Sequence, residues 1–579
     1  MHNRQLAHLF SRLADALELK GESGFRPAAY RKAARVLLTL HKDVAELAEN
    51  GELELIPGIG TGIAKKIREF LSTNTIRKYE EAIADLPPGL FDMLNVPGIG
   101  PKTVRLLFQH LGVSKITELQ RVLDDGSAAT VPGIGARRIE NMRRALASVG
   151  LAGDRMYLDE ATALARDLTG FLQSDAQVVQ RIECAGSIRR GCDSVGDVDL
   201  LVAADSAQEV VSALSAYSAA VIRPASVSTQ RVSLLLGTGD TRRKVDVHIA
   251  GSSCWGAALL YYTGSKDHYA ALRELAHRSG LRLSEHGLLK GKRLVAGNTE
   301  QEIYEKLGLR WIEPELREAR GEIEAASAGQ LPHLITIDDI HSDLHMHTDH
   351  SDGTATLEDM AAACARLGYT HMAIAEHSPS AGYAGGLDDD RLQRLCDEID
   401  AHNSRSDRIR ILKSSEVDIR PDGELDYPDS LLRRLDFVIA SVHQAFHKDV
   451  TRRICGAIQH PLVHMIAHPS GRIIGRRRGY DVDLEQVIDC AAHYRKILEI
   501  NAYPGRLDLN DIWARRAREA GVLLSINTDA HATDELNWMQ FGVTTARRAW
   551  LEPEHVINCL SYKELSDLLT AIRNSQGRV

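Results

Sequence analysis

Apolar side chains recur at helical spacing through the first 150 residues, and later fall at alternate positions or in short unbroken runs, so a helical front and a strand-rich remainder are predicted. Residues 4–20 put Leu6, Leu9, Phe10 and Leu13 on one helical face, and residues 27–41 do the same with Ala29, Ala33, Val36 and Leu37. Residues 195–202 alternate instead. As a strand they place Val198 and Leu200 on one face and Asp197 and Asp199 on the other. Residues 243–249 set Val245, Val247 and Ile249 opposite Asp246 in the same way. Beyond residue 340, apolar runs at 371–375, 409–415, 437–442, 463–467, 497–500 and 522–527 alternate with helical patterns such as 357–367 and 484–494. Together with 343–347 they make about seven strand–helix units, which predicts a (β/α) barrel with its polar groups at the C-terminal ends of the strands.

With 579 residues the chain exceeds a single core and several domains are expected. No run approaches the roughly 18 apolar residues of a membrane span, and Met-His-Asn-Arg-Gln-Leu at the start carries no apolar leader, so a cytoplasmic protein without membrane contact is expected. Eight cysteines without a Cys-x-x-Cys pair argue against zinc fingers and disulfides. The overall charge of -9 conceals a front of about +4 over residues 1–150. That front carries a threefold repeat: Ile56-Pro-Gly-Ile-Gly60, Val96-Pro-Gly-Ile-Gly100 and Val131-Pro-Gly-Ile-Gly135, each before a helix with basic residues. The glycines Gly58, Gly60, Gly98, Gly100, Gly133 and Gly135 would let a sugar-phosphate strand approach backbone N–H groups at helix starts. A single copy could be a plain tight turn. Three resemble helix-hairpin-helix motifs, which grip DNA phosphates without reading sequence.

The richest chemistry lies in Cys184-Ala-Gly-Ser-Ile-Arg-Arg-Gly-Cys-Asp-Ser-Val-Gly-Asp-Val-Asp-Leu-Leu-Val202. A close-approach glycine, a hydroxyl and two guanidinium groups suit a polyphosphate, and two carboxylates on one strand edge need cations to stay ionised together. With Asp246 they could hold two Mg2+ ions for an in-line phosphoryl transfer. Surface acids on a strand are the ordinary alternative for Asp-x-Asp alone. The whole string resembles the palm signature of the DNA polymerase X family, the nucleotidyltransferases related to DNA polymerase beta, and Tyr261-Tyr-Thr-Gly-Ser265 resembles that family's Tyr-Phe-Thr-Gly-Ser element.

The resemblance implies Asp197, Asp199 and Asp246 as catalytic metal ligands, and Ser187, Arg190, Gly196, Arg155, Tyr261, Tyr262 and Gly264 around the nucleotide. Arg273 would lie on the template's minor-groove side. Tyr262 replaces a phenylalanine and Tyr269 a base-edge asparagine, which opens the question of nucleotide selectivity. Residues 56–71 resemble the lyase domain of DNA polymerase beta, with Lys66 on its Schiff-base lysine. Gly62 departs from that pattern, where the relative has a phosphate-holding lysine, so a phosphate-gripping Lys66 is the alternative.

Fifteen of the 24 histidines follow residue 340, and they gather where the apolar runs end. This half resembles the polymerase and histidinol phosphatase (PHP) domain, a distorted seven-stranded barrel with up to three metals. The resemblance implies one metal on His345, His347, Glu416 and Asp529, a second on Glu416, His443 and His468, and a third on Asp352, His377 and His531, with His350 competing with Asp352. Imidazole and carboxylate ligands together suit Zn2+ or Mn2+.

The expected organisation is multidomain: a helical lyase-like region at 1–85, helix-hairpin-helix fingers at 86–150, an α+β nucleotidyltransferase palm at 151–250, a helical and mixed thumb at 251–317, a linker at 318–340 and a distorted (β/α)7 PHP barrel at 341–579. The expected function is gap-filling DNA synthesis with Mg2+ or Mn2+, joined to a metal-dependent 3'-5' exonuclease and a possible 5'-deoxyribose phosphate lyase. Gapped or nicked duplex DNA and deoxynucleoside triphosphates are the expected partners of a monomer associated with the bacterial nucleoid. Two rivals are a nuclease whose polymerase half only holds DNA, and a non-catalytic repair scaffold.

Overall fold

The computed structural model describes residues 2–574 apart from 23, 39–43, 57, 74, 88, 95, 97–98, 136–137, 141, 144–154, 175–178, 205–206, 216, 218–222, 228–230, 237–242 and 478. The chain forms two compact units, Met1–Gly153 and Asp154–Val579.

The first unit is helical. The predicted opening pair forms as His2–Leu19 and Phe25–Leu38, with Leu6, Phe10, Leu13, Ala33 and Leu37 buried between them. The three repeats fold alike. In each, the isoleucine between the glycines closes a turn, its N–H donating to the carbonyl of Ile56, Val96 or Val131 at 2.9, 3.0 and 3.1 Å. Ile59, Ile99 and Ile134 are then buried in one shared core. The carbonyls of Gly60, Gly100 and Gly135 accept the first bonds of the helices that follow, among them Thr61–Thr73 and Pro101–Leu111. Gly98 lies outside the described residues.

The second unit begins with the palm. Its strands are β1 (Met156–Tyr157), β2 (Arg181–Cys184), β3 (Ser194–Val195), β4 (Asp197–Ala203), β5 (Arg223–Val227), β6 (Arg231–Leu236) and β7 (Arg243–Ile249). A five-stranded sheet runs in the order β2-β4-β7-β6-β5, and β4 pairs with β7 in parallel so that Asp199 sits opposite Asp246 and Asp197 opposite Lys244. The alternation read in the sequence is realised: Val198, Leu200, Val245 and Val247 are fully buried.

A thumb follows, with helices Trp255–Thr263, Lys266–Arg278 and Glu300–Lys306 around a small antiparallel sheet of β8 (Arg282–Ser284), β9 (Gly287–Lys290) and β10 (Arg293–Ala296). Residues 318–340, expected as a linker, are ordered against this body. Helix Glu322–Ala328 forms, Ala326 and Leu334 enter the thumb core, and the buried Glu322 carboxylate meets His268 Nδ1 at 2.6 Å. Small, polar composition suggested a tether, but one buried His268–Glu322 hydrogen bond and two apolar side chains dock it.

The barrel consists of β11 (Ser342–Met346), β12 (His371–Ile374), β13 (Arg410–Asp418), β14 (Phe437–Ser441), β15 (Met465–Ile466), β16 (Ile497–Asn501) and β17 (Leu524–Asn527), seven parallel strands in sequence order. A Met346–Ala530 bridge closes the ring. Every residue of β14 is buried, as expected where both faces are covered. Phe437 and Ile439 join an inner core with Leu565, Leu569 and Ile572 of the final helix, whereas Val438 and Ala440 face the surrounding helices. One difference from the sequence pattern matters. Glu416 was expected just past a strand, yet β13 runs on to Asp418 because Glu416 and Asp418 still pair with Ile439 and Ser441 of β14. No described helix is long and apolar enough to cross a membrane.

The thumb depends on a buried charge cluster. Arg189 donates to both Glu300 oxygens at 2.8 and 2.9 Å, and the fully buried Arg317 does so at 2.6 and 3.0 Å. Burial alone would raise the Glu300 pKa, but Arg317 and Arg189 outweigh it and hold the carboxyl well below its usual 4.5. The unfolded chain therefore takes up a proton at higher pH than the folded one. The resulting stabilisation is complete above about pH 4.5 and is lost as pH falls toward the depressed folded value. Glu300→Gln is expected to cost about 3 kcal/mol at pH 7, with the gap from wild type narrowing below pH 4.5, as read by denaturant melts from pH 3 to 7.

Candidate active sites

In the palm, the helical turn Gly186–Arg189 joins β2 to the edge where the acids lie. Gly186 has φ +59, and a Cβ there would come within 2.1 Å of Asp199 Oδ2, so only glycine lets this turn approach the carboxylate. Lys244 Nζ lies 2.8 Å from both Asp197 Oδ2 and Asp246 Oδ2, an ammonium spanning the two acids. Asp246 is buried and also accepts from Ser233 Oγ and Arg231 Nη2 at 2.5 Å each. Burial pushes its pKa up, but the bonds from Lys244, Ser233 and Arg231 overcome this and keep it ionised. Asp199 Oδ1 is 2.9 Å from His248 Nε2, and the His248 ring stacks on Tyr262 with centroids 3.8 Å apart. The three acids thus share one strand edge, but their oxygens are not drawn within 4.8 Å of one another as the barrel ligands are.

Ser187 and Gly196 are half-buried on this edge. Arg155 Nε donates to Ser194 Oγ at 2.9 Å and its Nη1 borders Gly196. Arg190 Nη1 donates to Thr263 O at 2.5 Å and borders Gly264. Tyr261 is partly exposed and packs edge-on against both Tyr262 and Tyr269. Tyr269, which takes the position of a base-edge asparagine, is buried, whereas Arg273 is exposed. In the helical unit, Lys66 Nζ donates to Gly62 O at 3.2 Å and stands 5.7 Å over the Tyr30 ring.

The barrel mouth gathers the histidines. Glu416 lies at its centre: Oε1 is 2.9 Å from His468 Nε2 and 3.2 Å from His443 Nε2, while Oε2 is 2.9 Å from His377 Nδ1, 3.6 Å from His345 Nε2 and 3.8 Å from His347 Nε2. Asp529 Oδ1 is 3.2 Å from His347 Nε2 and 3.7 Å from His345 Nε2. Asp352 Oδ1 is 3.3 Å from His531 Nε2 and 3.5 Å from His377 Nε2. Three groups have ligand atoms within 4.8 Å of each other: His345, His347 and Asp529; His377, Glu416 and His443; and His347, Asp352, His377 and His531. His377 is shared by two groups, and His468 reaches Glu416 from beside the second. His350 turns away to Glu398, 3.1 Å off, leaving Asp352 at the mouth.

The donors fit metal ions. His345 Nε2, His347 Nε2 and Glu416 Oε2 are buried without a hydrogen-bond partner, a costly state that a bound cation would relieve. Burial and the neighbouring His377 and His531 push His347 down to about 3. Burial also opposes protonation of His443, but Glu416 and Asp418 outweigh it and raise the imidazole to about 10. His468 and Asp529 adopt φ +29 and +54, left-handed backbone rarely used by such residues and characteristic of functional sites.

Comparison with known proteins finds family patterns in both halves of the chain. The DNA polymerase beta thumb pattern matches residues 258–318, the PHP domain pattern residues 343–511, a helix-hairpin-helix domain residues 1–76 and a SAM-like helix-hairpin-helix tandem residues 91–148. DNA polymerase/3'-5' exonuclease PolX of Bacillus subtilis is 36% identical over 98% of this chain and 99% of its own length. The chain belongs to the PolX family. Rat DNA polymerase lambda is 28% identical over 55% of the chain and 56% of its own length. A probable phosphatase of Thermoanaerobacter sp. is 29% identical over 37% of the chain and 89% of its own length.

Some residues of this PolX chain escaped the sequence analysis. Lys244 lies two residues before Asp246 on the same face of β7, a signal the alternation offered, whereas Ser233 and Arg231 come from the pairing of β6 with β7, which no local pattern reveals. Glu499 is fully buried, with Oε1 2.8 Å from His345 Nδ1 and Oε2 accepting the His468 N–H at 2.8 Å. It interrupts the apolar run 497–500 from within, and a lone carboxylate inside an otherwise apolar stretch was the available signal. Arg506 Nη1 is buried without a partner, and its Nε lies 4.0 Å from Asp529 Oδ2.

Glu499 holds the His345 imidazole and the His468 backbone in place rather than joining a ligand group. Glu499→Gln is therefore expected to weaken metal binding at the barrel about 10- to 100-fold, measured by competition with a chromophoric chelator.

Proposed function

We propose that the palm edge and the barrel mouth are the two active sites of a DNA polymerase with 3'-5' exonuclease activity, acting as a monomer on gapped or nicked DNA in the bacterial cytoplasm. The observation that carries this reading is the parallel pairing of β4 with β7, which sets Asp199 beside Asp246 and Asp197 beside Lys244, next to the Gly186–Arg189 turn.

In the palm, Asp197, Asp199 and Asp246 would hold Mg2+ or Mn2+. Such ions neutralise a triphosphate and stabilise both the attacking and leaving oxygens of an in-line transfer. The Lys244 ammonium between Asp197 and Asp246 supports that role, because it shows the pair drawing in positive charge. Asp246, kept ionised by its three donors, would draw the primer 3'-hydroxyl toward deprotonation. Ser187, Arg190, Arg155 and the Gly196 backbone would hold the triphosphate, while Tyr261, Tyr262 and Gly264 bound the sugar. The three glycine turns and Arg273 would contact DNA.

At the barrel mouth, His345, His347, Asp352, His377, Glu416, His443, His468, Asp529 and His531 would hold up to three Zn2+ or Mn2+ ions. Ions of this kind activate water for attack on a phosphodiester. Arg506, whose Nε lies 4.0 Å from Asp529 Oδ2 and whose Nη1 is buried without a hydrogen-bond partner, would take the phosphate.

Asp246→Asn is expected to lower filling of a one-nucleotide gap about a thousandfold, roughly 4 kcal/mol of transition-state stabilisation, and to spare 3'-end degradation. His345→Ala should do the reverse. Synthesis by Asp246→Asn at the native rate, or undiminished degradation by His345→Ala, contradicts the corresponding site. A lyase role for Lys66 predicts borohydride trapping on an incised abasic site that Lys66→Ala abolishes; equal trapping by both proteins leaves Lys66 as a phosphate contact.

A further inference from the structure

The turn that would grip the triphosphate is braced from outside the palm. Helix Met539–Arg548 of the barrel lies against it so closely that a Cβ on Gly191, at φ +64, would come within 2.0 Å of Thr544 Cγ2. From the end of that helix, the nearly buried Arg548 donates from Nη1 to Arg190 O at 2.6 Å and to Glu318 Oε1 at 2.9 Å, and from Nη2 to Asp511 Oδ2 at 2.9 Å. Glu318 Oε1 also accepts from Arg190 Nε at 3.0 Å. A second barrel arginine acts on the far end of the same turn: Arg472 Nη1 donates to Asp193 Oδ2 at 2.8 Å. Arg472 is itself fixed by the carbonyls of Arg506 and Leu507 at 2.7 and 2.5 Å. The palm core continues across this boundary, taking in Leu507 and Phe541.

The charges suggest why the brace matters. Glu318 alone with Arg190 would form a closed pair and quench the guanidinium. Here Glu318 and Asp511 are shared among three arginines, since Arg320 Nη1 also donates to Asp511 Oδ2 at 2.8 Å. Two carboxylates facing Arg190, Arg320 and Arg548 leave one positive charge in surplus. Burial would raise the Glu318 pKa, but Arg548 and Arg190 together keep it ionised. Arg190 Nε and Nη1 are engaged by Glu318 and Thr263 O, whereas Nη2 meets the weak acceptor Cys192 Sγ at 3.7 Å and is the nitrogen left for an anion.

We infer that Arg548 of the barrel is a positioning residue for the polymerase reaction: it anchors the Arg190 backbone and supplies the counter-charge that lets Glu318 aim the Arg190 side chain without neutralising it. The inference rests on the assignment of Arg190 to the triphosphate. It makes the barrel part of the synthetic site as well as a hydrolytic one.

The test is steady-state filling of a one-nucleotide gap by the full-length protein, alongside 3'-5' degradation of a single strand. Arg548→Gln is expected to raise KM for the incoming deoxynucleotide about tenfold, with kcat within about twofold and degradation unchanged. Arg548→Lys should recover part of the loss, and Arg190→Gln combined with Arg548→Gln should be no worse than Arg190→Gln alone, because the one acts through the other. An unchanged KM in Arg548→Gln, or a parallel fall of both activities, overturns the inference. An inert Arg190→Gln instead overturns the reading of Arg190, and the inference with it.

Discussion

A carboxylate taken out of water must find positive charge or a proton, and this requirement organises the second unit of the chain. Glu416 is almost completely buried yet stays ionised because His443, His377 and His345, among the five imidazoles within 4 Å of its oxygens, outweigh its burial. Asp246 satisfies the same requirement with an ammonium, a guanidinium and a hydroxyl, and Glu300 with two guanidinium groups.

The two sheets meet the requirement in different ways. In the barrel, all strands run in one direction and converge their C-terminal ends, so single residues from distant parts of the chain meet at one mouth. In the palm, only β4 and β7 supply acids, and their parallel register brings them side by side. The candidate barrel ligands are correspondingly the tighter set, while in the palm Lys244 bridges Asp197 and Asp246 and His248 meets Asp199. Between these centres lie ion pairs and neutral hydrogen bonds rather than a tether. Arg547 reaches Glu315 of the thumb, and Tyr157 of the palm donates to Ile474 O of the barrel.

Much of this was legible in the linear pattern. The alternation around Asp197, Asp199 and Asp246, the three Pro-Gly-Ile-Gly turns and the histidines at the ends of apolar runs are local signals, and period-two or 3.6-residue geometry turns them directly into faces. Residues 318–340 show the limit. Their small, polar composition reads as a tether, and nothing nearby in sequence announces that Glu322 finds His268 or that Ala326 enters the thumb core.

Taken alone, the sequence determined which residue types sit on which face of each strand and turn, because those relations span only a few residues. It thereby determined the helical, palm and barrel classes and the candidate ligands. Tertiary structure decided the partnerships: that Asp352 rather than His350 faces the mouth, that His377 serves two ligand groups, that Lys244 spans two acids, and that Arg548 meets Arg190 across 358 residues. Such contacts depend on strand register and on the docking of one sheet against another, and these are set by the burial of whole surfaces rather than by any local run of side chains.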